Sequence, residues 1–277
     1  MSTVTATSTL SRITYQRRLM IGLILTALVV LFAVLGPWLA PYGENEVVGL
    51  PFSTKGVLGT DYLGQDILSR LMYGGRVILL IAILGTVIGM VLGVLFGVVA
   101  AYAGGWWDEI IMRLNDAVLA FPQILLALLV LTAVDQPAAW MIIVIIGISH
   151  APRVARVARG VALGIVSRDY VQAAEALGEK RSRVVLAEVL PNMNAPLLAE
   201  AGLRLTYSIG LVAALGYLGF ATDPSAANWG QMIKENATAV YTNPIGFLAP
   251  VFVIAVFTVG TNLMADGIAQ LADRRVE

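Results

Sequence analysis

The chain has no cysteine and a single histidine, His150. Thiol catalysis, disulfides and cysteine-held metals are therefore excluded, and so is any histidine cluster. His150 borders the basic run Arg153, Arg156 and Arg159, which discourages a bound cation, and it reads as a helix-end or interface residue. Charge is scarce. Only 13% of residues are charged, about half of what a soluble domain carries. The 18 basic and 18 acidic residues balance, so no net field invites nucleic acid. None of the three lysines, Lys55, Lys180 and Lys234, lies in a G-K-[ST] setting, so no P-loop can cradle nucleotide phosphates.

Apolar residues make up 58% of the 277 residues and the mean hydropathy is +0.82, so lipid must cover much of the surface. A membrane helix needs about 20 apolar residues to cross a core of roughly 30 Å. That rule predicts six spans, at 19–40, 76–102, 117–134, 139–163, 193–222 and 245–270. The first is too long for the h-region of a secretory signal and reads as a retained helix. Turn formers mark two ordered loops, 41–75 and 223–244.

An even number of spans puts both ends on one side. With the N-terminus in the cytoplasm, that face carries thirteen basic residues, from Arg12, Arg17 and Arg18 through Arg113, Arg153, Arg156, Arg159, Arg168, Lys180, Arg181 and Arg183 to Arg274 and Arg275. Only Lys55, Arg70, Arg76 and Lys234 lie outside. The bias predicts cytoplasmic termini. Residues 1–18 are then a cytoplasmic segment, 19–75 the first transmembrane helix with its external loop, and 76–277 a core of five transmembrane helices with a cytoplasmic loop.

Gly85, Gly89, Gly93 and Gly97 recur every four residues in the second span, a flat stripe that either admits a close helix crossing or reflects the free use of glycine in membrane helices. Glu200 and Arg204, also four apart, form either a satisfied interface pair or part of a translocation path. Asn262 and Asp266 offer the same choice between an interhelical cap and a gate. Asp108 and Glu109 either pair with the basic loop or face water.

The segment from Arg168 to Asn192 carries a short surface helix, with Asp169 as a plausible N-cap and Gly178 as its stop. Ala173, Ala174 and Ala176 suit a groove in another protein, and the flank Lys180, Arg181 and Arg183 suits acidic groups or lipid phosphates. Docking to a partner and an idle loop at the lipid surface both remain open on these grounds.

Gln172-Ala173-Ala174, then Gly178, then Leu190-Pro191 resembles the EAA motif of ATP-binding cassette (ABC) importer permeases. More of the chain, from about 58 to 273, is similar to the permeases of dipeptide, oligopeptide and nickel importers, in their C-type branch. The matches are Leu58-Gly59-Thr60-Asp61, Gly64, Asp66 and Ser69-Arg70, then Gly104-Gly105, Asp108-Glu109, Arg113, Asp116 and Phe121-Pro122. Leu218-Gly219, Trp229-Gly230, Asn262-Leu263 and Asp266 continue them. Gln65, Gln172 and Glu188 depart from the usual Arg, Glu and His.

The resemblance implies an all-α, six-helix membrane protein with the type I ABC importer permease fold, resident in a bacterial inner membrane. It implies a coupling helix built from Asp169, Tyr170, Gln172, Ala173, Ala174, Glu175 and Gly178, with Leu190 and Pro191 after it. The implied partners are a second homologous permease, two cytoplasmic ATPases and an external binding protein. ATP and Mg belong to the ATPases, this chain holds no cofactor, and the cargo is a short peptide. Nickel chelates or other small solutes are the alternative cargo. A secondary transporter is the rival reading, and an intramembrane enzyme is disfavoured by the empty inventory of nucleophile and base.

Overall fold

The computed structural model describes residues 3–134, 137–220 and 226–273, with side-chain surroundings for residues 17–270 inside those ranges. These residues are nearly all helical, and the only strand-like features among them are two isolated bridges, Val47 to Gln65 and Thr60 to Asp66. Helix α1 (Thr3–Leu39) contributes the first apolar span, Arg17–Leu39, and lies along α10 (Pro244–Asp273). Its Leu and Ile side chains are largely exposed, as lipid contact requires.

Helix α2 (Ile67–Ala103) is the centre of the bundle. It starts nine residues before the expected span because Asp66 accepts a hydrogen bond from the Ser69 amide at 2.8 Å and caps the helix there. It ends where Gly104 and Gly105 take φ of 61° and 53°, values that L side chains rarely adopt. At 37 residues it measures about 55 Å, well beyond the membrane core.

The span expected at 117–134 is not one helix. Chain turns instead from α3 (Gly105–Leu119) to α4 (Gln123–Thr132) through 76°. Pro122 carries no N–H and biases Phe121 away from helix, which ends α3 before the bend. The 10 residues of α4 reach about 15 Å, half the core. Among the described residues, five helices are long and apolar enough to cross, and the bent pair supplies a sixth crossing when taken as one.

Helix α5 (Ala139–Val166) packs against α2 along its length. After α6 (Asp169–Ala176) and the single turn α7 (Arg181–Val184), the chain passes through a π turn, Val185–Val189, and a 3-10 turn, Leu190–Met193, into α8 (Asn194–Leu218). Pro191 cannot donate in this rod, and the ladder beside it is displaced: the Leu190 amide reaches back five residues to Val185. The second expected loop contains a helix, α9 (Trp229–Asn236). One apolar core, including Ile78, Ile81, Ile146, Leu215, Trp229 and Phe257, fills the middle of the bundle and the end where α2 starts. A smaller one sits where α2, α5 and α6 meet.

Candidate functional site

Helix α6 is short, polar on average and pinned by one side chain. Val171 is fully buried against Val98 and Ala101 of α2, Ala158 and Ala162 of α5, and Val184 and Val189. Arg168, in extended backbone, occupies the N-cap position without a side-chain bond. Asp169 is therefore the first helical residue, not the cap, and favours the helix from its first turn by charge. The stop is a Schellman motif: the Gly178 amide donates to Glu175 O at 2.9 Å and the Glu179 amide to Ala174 O at 3.2 Å, with Gly178 at φ 83°.

Tyr170, Gln172, Ala173, Glu175, Ala176 and Gly178 are exposed, and Leu177 is 85% exposed. Ala174 and Leu190 lean on the same small core as Val171, whereas Pro191 is exposed. The Tyr102 hydroxyl at the end of α2 donates to Glu175. The segment thus presents one face outward and is tied at two points to the long helices.

Those helices meet along the glycine stripe. A Cβ at Gly85 would lie 2.7 Å from Ile146 Cγ2, and one at Gly89 would lie 2.8 Å from His150 Cβ and 3.1 Å from Gly147 O. At Gly93 it would meet Val154 Cβ at 2.4 Å, and at Gly97 the backbone oxygen of Ala155 at 2.5 Å. All four face α5 at distances no side chain tolerates.

Of the two places expected for His150, a helix end or an interface, the structure gives the interface, inside this crossing. It is fully buried, with Nε2 2.9 Å from Ser208 Oγ, which is 2.8 Å from Thr86 Oγ1. One serine thereby joins α2, α5 and α8. Glu200 Oε1 and Arg204 Nε are 2.8 Å apart, an ion pair too bent for a hydrogen bond, and the Arg204 guanidinium rests 5.1 Å from the Tyr207 ring centroid. Asn262 is half-buried and Asp266 exposed on α10, away from that pair's bonds. Asp108, expected to pair with the basic loop or to face water, pairs instead with Arg159 of α5, and the exposed Asp116 pairs with Arg156. Glu109 pairs within α3 with Arg113 at 2.5 Å.

At the opposite end of α2 lies a cluster that sequence reasoning missed. Arg70, 3% exposed, pairs with the fully buried Asp61 and, at 2.8 Å, with Glu235 of α9. Asp61 Oδ1 also accepts the amides of Leu63 at 2.8 Å and Gln65 at 2.9 Å. Gln231 Nε2 donates to Glu235 at 2.7 Å, and the Trp229 indole donates to Leu71 O at 2.8 Å. Burial, then the charge of Glu235, pushes the neighbouring Tyr62 phenol above its ordinary pKa. Leu58–Arg70 is thus a folded cap, welded to α9.

The family of binding-protein-dependent transport system inner membrane components matches residues 93–277, more than half of the chain. The chain belongs to that family. In the permease, residues 9–51 further match the N-terminal TM domain of oligopeptide transport permease C. It is 35% identical over 267 residues to the dipeptide transport system permease protein DppC of Escherichia coli K12, covering 93% of this chain and 89% of that protein. It is 31% identical over 263 residues to the protein of the same name from Alkalihalophilus pseudofirmus, covering 93% and 86%.

A solved structure of the MetNI methionine ABC transporter, inward facing, matches with a TM-score of 0.61 at 18% identity, over 73% of the permease and 96% of the compared chain. That likeness shows the fold. The permease is a multi-pass inner membrane protein of the importer type. Arg70 and Asp61 stand in the stretch that resembles the family's external-loop signature, so a signal for them existed. Glu235, 165 residues from Arg70 in sequence, had none.

Proposed function

We propose that the permease forms one half of the path by which short peptides enter the cell, paired with a second permease, fed by an external binding protein and driven by two ATPases that bind ATP and Mg on the side of α6. The observation that carries this reading is α6 itself: an exposed face of Tyr170, Gln172, Ala173 and Leu177, held on Val171 and Glu175 against the ends of α2 and α5. The names of the relatives from Escherichia coli and Alkalihalophilus pseudofirmus support the peptide cargo. The thirteen-to-four basic bias supports cytoplasmic termini and a cytoplasmic α6.

Closure of the ATPases displaces α6, and Val171 passes that displacement to α2 and α5. The glycine crossing leaves no slack between those two helices, so they tilt together. Tyr207, Gly210 and Tyr217 share an open side of α8, and nothing lies within 4 Å of a Cβ built on Gly210. We assign this side to the path, with Glu200 and Arg204 holding its wall. At the inner end, a cavity of about 610 Å³ bounded by Gly164, Arg168, Asn192, Pro196 and Gln270 is the proposed mouth, and Asp266, one turn before Gln270, its candidate gate.

Gly178→Val tests the coupling. At φ 83° a β-branched residue is strained whatever the space, so the turn after α6 reforms elsewhere. Peptide-stimulated ATP hydrolysis by the reconstituted importer should fall at least tenfold while the complex still assembles. Unchanged stimulation would remove α6 from the coupling path.

A further inference from the structure

A groove runs along the last turns of α2, between Val94, Val98 and Leu95 on one wall and Val185, Leu186 and Leu190 on the other, with a volume of about 440 Å³. Its lining is almost wholly apolar. Leu95 and Leu186 are 54% and 65% exposed, so none of the described residues covers them. The groove begins at Val94 and ends at Ala103, and those ten helical residues span about 15 Å, the depth of one leaflet's hydrocarbon.

Its open end is cationic. Arg181 and Ser182 line the rim, and the Arg181 guanidinium lies 6.0 Å from the Tyr102 ring centroid. Lys180 stands beside it, and neither Lys180 nor Arg181 has a carboxylate partner among the described residues. The nearby acids are engaged: Glu179 pairs with Arg183 at 3.3 Å, and Glu175 accepts the Tyr102 hydroxyl. An apolar slot one leaflet deep, closed by two cations without carboxylate partners among the described residues and by a serine at the membrane surface, is complementary to a lipid with a negative headgroup.

We propose that this groove binds one anionic phospholipid of the leaflet on the α6 side, its acyl chain against Leu95, Val98 and Leu186 and its phosphate on Arg181, Ser182 and Lys180. The bound lipid steadies Tyr102 through Arg181, and Tyr102 in turn holds Glu175 of α6. Anionic lipid therefore regulates how firmly α6 is coupled to α2. This rests on the orientation proposed above.

The test uses the whole importer in nanodiscs of phosphatidylcholine, with or without phosphatidylglycerol. Mass spectrometry of the intact complex should find a phosphatidylglycerol retained by the native protein and lost from Arg181→Ala. Affinity should weaken about fivefold for each basic side chain removed, the equivalent of about 1 kcal/mol. Leu186→Trp, which fills the slot and leaves the cations in place, should lose the lipid too. Phosphatidylglycerol should raise the ATPase rate of the native importer and leave that of Arg181→Ala unchanged. Equal retention by native protein and both variants would overturn the site. So would crosslinking of Leu186→Cys to another protein chain of the assembled importer, which would give the groove to that chain. Retention as expected, but with Lys180→Cys reactive to an impermeant reagent outside the cell, would overturn the orientation while sustaining the lipid.

Discussion

Replacing stripe glycines with alanine one at a time should reveal a graded loss of stability set by what each new methyl meets. At Gly97 the three nearest atoms are Ala155 O at 2.5 Å, Ala158 Cβ at 2.8 Å and Arg159 N at 2.9 Å, two of them backbone, which no rotamer change can move. Restoring ordinary contact of about 3.4 Å requires α2 and α5 to part by roughly 0.9 Å, at an overpacking cost near the upper end of about 1–3 kcal/mol. At Gly85 the nearest atoms are Ile146 Cγ2 and Cβ at 2.7 and 2.8 Å, a side chain that can partly yield, so the cost should be about 1 kcal/mol. Gly160 and Gly164 on α5 have nothing within 4 Å, so alanine there should be neutral or gain up to about 1 kcal/mol from helix propensity. Denaturation of the purified subunit in detergent, followed by loss of helical signal, reads all four variants on one scale. If Gly97→Ala proved as stable as Gly160→Ala, the close crossing would not exist and the argument from it would fail.

Arg70→Met should cost about 3–5 kcal/mol, because it strands the buried carboxylate of Asp61 and the nearly buried one of Glu235; Arg113→Met, whose pair with Glu109 is 78% and 57% exposed, should cost under about 0.5 kcal/mol on the same scale. Equal effects would refute the assignment of the cap's strength to that one arginine. Cysteines at the exposed Lys55 and Lys234 should react in cells stripped of any outer barrier with a reagent that cannot cross the membrane, and a cysteine at Lys180 should not. Reaction at Lys180 with protection of the other two would invert the topology.

Much of this was legible because membrane helices announce themselves by length. The spans at α1, α2, α5, α8 and α10 rise from hydropathy alone, and the strict i+4 recurrence of Gly85 to Gly97 placed those residues on one face before any partner was known. Hydropathy averages over a window, however, and so it read through the 76° bend at Phe121-Pro122, where one proline outweighs the apolar residues on both sides. The eight residues of α9 were too few for a periodic signal inside a loop. The pairing of Arg70 with Glu235 is a product of tertiary folding, and no spacing rule connects residues that far apart. His150 was left between a helix end and an interface, because sequence does not show that Arg156 and Arg159 turn toward α3 while the imidazole turns inward to Ser208.

The cap around Arg70 makes α2 a lever. The end that starts at Ile67 is clamped by Asp61 and Glu235, and its other end carries Tyr102 and the bond to Glu175 of α6. With a length of about 55 Å between them, each degree of tilt about the clamp sweeps the far end through about 1 Å. Under the coupling proposed for α6, a stroke of a few ångströms there asks only a few degrees of the bundle, and the clamped end, near the fulcrum, scarcely shifts.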